Sequence, residues 1–79
     1  MKKSKQKYVG KYIVLLLEFW ETDGRGRPIE FEYGDLSIHL KGQFKSLQRR
    51  EDYSSESEAK KIYKSLSSQG KIEEWIKKT

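Results

Sequence analysis

The chain has 79 residues, no cysteine, one histidine and a net charge of +5. This length is enough for one small domain, which buries only about 60% of the surface of its unfolded chain. The lack of cysteine excludes disulfides and thiolate metal sites, and His39 alone cannot form a zinc site. Stability must therefore come from packing within the chain or against a partner, and we predict no cofactor and no metal.

The N-terminal segment, residues 1–7, is strongly basic. Its lysines at positions 2, 3, 5 and 7 supply four of the five net charges, so residues 8–79 are nearly neutral. The composition predicts a disordered basic tail over residues 1–7 and a single small α+β domain over residues 8–79. The apolar run that follows is interrupted by charges and is too short to span a bilayer, so we expect a cytoplasmic protein without a membrane partner.

Residues 12–20, with the sequence YIVLLLEFW, form the only long apolar run. Their β-branched and aromatic side chains favour a strand over a helix. Alternation places four apolar side chains on one face, namely Ile13, Leu15, Leu17 and Phe19. The other face carries Tyr12, Val14, Leu16 and Trp20 and is interrupted by Glu18. Both faces are largely apolar, which is typical of a strand buried on both sides.

Further strands are predicted over residues 29–33 and 36–41, with a tight turn at Gly34 and Asp35 between them. Residues 22–28, with the sequence TDGRGRP, form the turn before the first of these strands. Phe44 and Leu47 either extend the last strand or begin a fourth, and residues 48–53 form a charged connection. The strands therefore form an antiparallel meander of three or four strands.

Helix signals begin at Ser55, which forms a capping box with Glu58. An apolar stripe then recurs at intervals of three and four residues up to Leu66, and Gly70 is a favourable helix stop. Ile72, Trp75 and Ile76 repeat this spacing. The predicted fold class is therefore α+β, a three- or four-stranded antiparallel β-meander followed by an amphipathic helix and a short C-terminal helix.

We expect Ile13, Leu15, Leu17 and Phe19 to form the core with the amphipathic helix. The ridge formed by Tyr12, Val14, Leu16 and Trp20 then lacks an obvious cover. Either the segment 72–76 folds over this ridge or another protein does, and the sequence leaves both possibilities open. Uncovered apolar surfaces of this kind commonly mark protein interfaces.

Basic side chains suggest a second type of surface. Candidates for contact with phosphate or another anion are Arg25, Arg27, Lys41, Lys45, Arg49 and Arg50. Arginine can bind phosphate or carboxylate in a forked geometry. The alternative is a solvated hairpin whose arginines pair with neighbouring acidic residues, and this interpretation is favoured for the tip at residues 22–28.

No catalytic residue is predicted. His39 has only Ser37 beside it on the same strand face, and alternating serines are common in strands. Glu30 and Glu32 share a face and could meet Glu18 to bind a cation, but cross-strand pairing with lysine is the simpler interpretation.

Two functions remain. The first is a small non-enzymatic protein-interaction module (a regulator, an inhibitor or a complex subunit) that docks on another protein or on a second copy of itself through the ridge. The alternative is a small nucleic-acid-binding protein that uses the basic tail, the hairpin-tip arginines and residues 41–50.

Overall fold

The computed structural model describes residues 1–42 and 46–78. Four strands form one antiparallel sheet in the order β1-β2-β3-β4. The strands are β1 (Lys2–Val9), β2 (Tyr12–Thr22), β3 (Pro28–Leu40) and β4 (Leu47–Tyr53), and they precede the helices α1 (Glu56–Ser65) and α2 (Gln69–Lys77). The predicted α+β class, a β-meander followed by two helices, is confirmed.

The N-terminal residues are ordered in β1, so the predicted disordered tail is wrong. Lys2 lies opposite Phe19 and Val9 lies opposite Tyr12, with a continuous register between them. Gly10 closes the turn to β2 with a φ of +58°, a value that glycine adopts without steric cost. Strand pairing satisfies the backbone groups along one side of β2, which outweighs the weak intrinsic β-propensity of lysine.

The predicted turn at Gly34 and Asp35 is also wrong, because both residues lie within the continuous strand β3. Gly34 instead permits a close approach of α1: a Cβ atom placed on it would lie 3.1 Å from the Cβ of Ala59. Residues 48–53, predicted to be a charged connection, instead form β4 together with Leu47, one of the two residues predicted to extend the third strand or begin a fourth. The predicted strand residue Phe44 lies outside the described part of the chain.

The two helices are capped by serines. Ser55 caps α1 as predicted, with its hydroxyl accepting the Glu58 N–H at 3.4 Å. Gly70 does not stop a helix but lies in the first turn of α2. Ser68 caps α2 by accepting the Lys71 N–H at 3.3 Å, and this cap sets where the second helix begins.

The helices cover the opposite face of β2 from the one predicted. Tyr12, Val14 and Leu16 are buried against α1 and α2. Leu16 lies opposite Leu36 and Val14 opposite Ile38, so neighbouring strands supply a continuous apolar surface on this side. We call it the covered face. Its core consists of Tyr12, Val14, Leu16, Leu36, Ile38, Ala59, Leu66, Ile72 and Trp75.

The other side of the sheet is called the open face. On it lie Ile13, Leu15, Leu17 and Phe19, which were expected to form the core and are only half-buried. The open face of β3 carries the polar Ser37 and His39 beside them. Over the described residues, neither helix is long and apolar enough to cross a membrane.

Candidate functional site on the open face

An apolar stripe runs along β2 at the centre of the open face. We define the stripe as Ile13, Leu15, Leu17 and Phe19. Tyr8 on β1 and Tyr33 on β3 widen it and are 60% and 38% exposed. The rings of Phe19 and Tyr33 stack with their centroids 4.5 Å apart. The result is an apolar surface that crosses three strands, a feature typical of an interface.

One end of the stripe opens into a concave pocket of about 460 Å³. Its lining includes Tyr8, Ile13, Leu15 and His39. The ammonium group of Lys41 lies 5.3 Å from the centre of the Tyr8 ring, at the same end of the sheet. This pocket is wide enough to hold an apolar side chain from a partner, with a polar group at its rim.

A polar row on β3 borders the stripe. Arg50 of β4 binds both carboxylate oxygens of Asp35, at 3.0 and 2.7 Å, and the hydrogen bond that Arg50 donates to Asp35 raises the pKa of Arg50. Ser37 Oγ lies 3.1 Å from His39 Nε2, so these two side chains meet as their spacing predicted. Asp35 lies on the far side of Ser37 from His39. The order of side chains therefore differs from a catalytic triad, in which the histidine lies between the serine and the carboxylate.

The predicted docking ridge is not available in this structure. Tyr12, Val14 and Leu16 are 5%, 0% and 0% exposed, and the Tyr12 hydroxyl donates to Glu73 of α2 at 3.3 Å. Trp20 is half-buried at the far end of the covered face. Its Nε1 donates to Glu18 at 3.1 Å. The assignment of Tyr12, Val14 and Leu16 to an interface is therefore wrong, because both helices pack on the face where they lie, and the assignment of Trp20 stays a prediction.

The hairpin-tip arginines adopt the solvated arrangement that the sequence favoured. Arg27 Nε binds Asp23 Oδ2 at 3.1 Å. The backbone N–H groups of Arg25 and Arg27 donate to Asp23 Oδ1 at 2.8 and 2.9 Å. These backbone hydrogen bonds lower the pKa of Asp23. The tip is thus a self-contained turn in which an aspartate organises the loop.

The remaining basic candidates are not brought together. Arg49 points into the covered face, where it donates to the Trp75 carbonyl at 2.6 Å and stacks 4.1 Å from the Trp75 ring. Arg50 is bound to Asp35 on the opposite face. Lys41 lies at the other end of β3 from the arginine tip, about 40 Å away along a strand of this length. Lys45 lies outside the described residues.

Glu18, Glu30 and Glu32 do not come together as a group that could hold a cation. It is 2% exposed on the covered face, and its Oε2 has no hydrogen-bond partner among the described residues. Glu30 lies opposite Glu21 at the other side of the sheet. Within residues 1–42 and 46–78, no group of acidic or histidine side chains could hold a metal ion.

The lysines of residues 1–7, predicted to lie in a disordered tail, form a regular row on the strand β1. Lys3, Lys5 and Lys7 lie opposite Glu18, Leu16 and Val14, on the same side as the helices. The Lys7 ammonium donates to the Tyr63 carbonyl at 2.8 Å, and burial lowers its pKa. The signal was present in the sequence, since lysines at positions 3, 5 and 7 follow the two-residue period of a strand.

Comparison of the chain with protein-family models, with curated proteins and with solved structures gives no match.

Proposed function

We propose that this protein is a small interaction module and that the partner of its open face is a second copy of the chain. The observation that carries the proposal is the apolar stripe, which lies on the side of the sheet away from both helices. Its half-buried side chains would lose their remaining contact with water on docking. Burial of apolar surface is the main favourable term in protein association.

The size of the open face fits a small symmetric dimer. The eight paired residues of β1 correspond to about 26 Å of strand, and four strands span about 19 Å, which gives each copy about 500 Å² of facing area. Two such faces together give about 1,000 Å², which is the lower limit for a specific interface. This flat area does not include the additional surface of the side chains that project from the sheet. The aromatic side chains Tyr8, Phe19 and Tyr33 supply the residue types that commonly anchor interfaces.

The open face can also pack against the open face of a second copy of the chain. A two-fold axis parallel to β2 would place stripe on stripe, with the sheets packed about 10 Å apart. The same axis would bring β1 of one copy over β3 of the other. Lys2, on the open side of β1, would then approach the row that contains Asp35. Such an interface is isologous, because each surface is used twice.

Nucleic-acid binding remains the alternative function. Its best support is the lysine row of β1, since the arginine candidates are dispersed and mostly bound to neighbouring groups. The open face is less suited to a phosphate backbone, because Asp35 and Asp52 lie there beside Arg50. A phosphate chain would meet these carboxylates as well as the basic groups.

Sedimentation equilibrium over a wide range of protein concentrations tests the proposal. We expect twice the chain mass of 9.4 kDa, and a folded monomer for Leu15→Glu or Leu17→Lys. Ile29→Glu is the matched control, because Ile29 is 60% exposed near the hairpin tip and should leave the dimer intact. A wild-type protein that stays monomeric at millimolar concentration would overturn the proposal.

A further inference from the structure

We propose that the free edge of β1 binds an extended acidic segment of another protein as a fifth strand of the sheet. Two features coincide on this edge: an unbroken row of outward backbone groups, and a row of lysines at every second position. Strand addition of this kind obtains affinity from the backbone and specificity from alternate side chains. The edge is distinct from the open face, so the inference does not rest on the dimer.

The backbone register shows which groups of β1 face outward. Met1 and Trp20 exchange both backbone hydrogen bonds, each at 2.8 Å. In an antiparallel ladder such pairs recur at every second residue, so residues 3, 5 and 7 also direct their backbone groups towards β2. Residues 2, 4, 6 and 8 therefore direct their N–H and C=O groups along the free edge. Four residues with regular spacing form a template for a new strand.

The lysine side chains would meet the closest positions of an added strand. The backbone groups of Lys3, Lys5 and Lys7 form hydrogen bonds with β2. The residues opposite them on an antiparallel fifth strand would therefore occupy non-hydrogen-bonded positions. Side chains approach most closely in such pairs, where the Cα atoms are about 4.5 Å apart. Glutamate or aspartate at alternate positions of the added strand would face the ammonium groups of Lys3 and Lys5, whereas the Lys7 ammonium is bound to the Tyr63 carbonyl. Opposite charges directly across strands are favourable.

The same lysines disfavour the other occupants of this edge. A second copy of β1 would place lysine opposite lysine, which is repulsive. A nucleic acid would not use the outward N–H and C=O pattern of the strand edge. Trp20, beside Lys3, already packs edge-on against Phe31 with centroids 5.4 Å apart, which limits base stacking on its ring.

The test uses the full chain and a labelled seven-residue peptide with glutamate at alternate positions and threonine or valine between them. A peptide of the same composition with its glutamates contiguous is the control ligand. We expect the alternating peptide to bind at low salt at least tenfold more tightly than the control. Amide hydrogen exchange should slow at Ser4 and Gln6, whose N–H groups face the edge, and the monomeric variant Leu15→Glu should bind equally well.

Matched charge variants complete the test. Lys3→Gln combined with Lys5→Gln should weaken binding of the alternating peptide at least tenfold. Lys61→Gln combined with Lys64→Gln removes the same charge from exposed positions of α1 and should leave binding within twofold. The inference is overturned by equal binding of both peptides, by equal losses in both double variants, by tighter binding of an oligothymidylate than of the peptide, or by no binding at millimolar peptide.

Discussion

The two faces of β2 are nearly alike in composition but differ completely in environment. Leu16 is fully buried on the covered face, whereas its neighbour Leu15 is half-exposed on the open face. The difference comes from the partner strands and helices rather than from β2 itself. Leu36 and Ile38 lie beside the covered side, and the apolar sides of both helices complete the core. An apolar strand thus supplies two hydrophobic surfaces, and its neighbours determine which of them becomes core.

Substitution of the adjacent residues Leu15 and Leu16 is the most direct test of the difference between the two faces. We expect Leu16→Ala to lower the free energy of unfolding by about 2–5 kcal/mol, because it removes buried methyl groups and leaves a cavity. Leu15→Ala should cost less than about 1.5 kcal/mol in the monomer, since that side chain is already partly hydrated. Urea denaturation at low protein concentration measures both values. Equal losses in the two variants would contradict the assignment of the faces.

The adjacent arginines provide a second matched pair. The Arg49 side chain is 14% exposed and also pairs with Glu51 at 2.8 Å, whereas the Arg50 side chain is 59% exposed. Arg49→Ala should lower the free energy of unfolding by about 1.5–3 kcal/mol, because it leaves the Trp75 carbonyl without its charged donor. Arg50→Ala should lower it by about 1 kcal/mol, because it removes two hydrogen bonds from the Asp35 carboxylate, which is 9% exposed, but lets water take the place of a guanidinium that is largely exposed. Chemical denaturation measures both values. A larger loss of unfolding free energy for Arg50→Ala than for Arg49→Ala would contradict this prediction.

Substitution of Gly34 tests how closely the helix α1 packs on the strand β3. A methyl group at this position would press on Ala59, so Gly34→Ala should destabilise the fold by about 1–3 kcal/mol through overpacking. The double variant Gly34→Ala with Ala59→Gly makes room for the new methyl group and should recover part of this loss. Thermal unfolding of the three proteins measures the coupling. Independent, additive effects would show that α1 does not contact β3 at this point.

Substitution of Glu18 should give the smallest change in the free energy of unfolding, and it should raise this free energy rather than lower it. A buried carboxylate with an unpartnered oxygen carries a desolvation penalty. Glu18→Gln keeps an acceptor for Trp20 Nε1 and removes the charge, so we expect an increase of about 0.5–1 kcal/mol in the free energy of unfolding at neutral pH. The pKa of Lys60 on α1 is raised by its hydrogen bond with Glu56 and further by the charge of Glu18, so denaturation of Lys60→Met alongside Glu18→Gln gives the control. A loss of stability would mean that attraction to the Lys60 ammonium outweighs the desolvation of Glu18.

Local patterns in the sequence predicted much of the fold. The Ser55 cap, the stripe of α1 and the strand character of residues 12–20 depend on near neighbours and proved correct. The assignment of the faces depended on register, which two features obscured. Glu18 interrupts the face that is in fact buried, and a register shift in β3 between Phe31 and Tyr33 reverses the alternation along that strand. A one-residue shift exchanges the two faces of a strand.

The apolar surface that β2 leaves outside the core consists of different residues from those predicted. An apolar surface on β2 outside the core was expected, and such a surface exists on the opposite side of the strand. The basic candidates were chosen by charge alone, and charge does not indicate which arginine finds a partner within the chain. Arg49, for example, lies beside Trp75 of α2, a contact between residues far apart in sequence. Such pairings depend on tertiary packing and leave little trace in a local pattern.

The turn at Gly10 connects the beginning of the sheet to the last helix. A side chain there would collide with Gln69, which accepts the Lys11 N–H at 3.1 Å. A few polar contacts and two buried side chains, Ile72 and Trp75, hold α2 on the sheet, whereas β2 is hydrogen-bonded to a strand on each side. We therefore expect α2 to open as a local unit, with its amides exchanging at a lower free energy than those of β2. Each such opening would briefly give the molecule a second water-exposed apolar surface, which makes the seating of this helix a determinant of solubility.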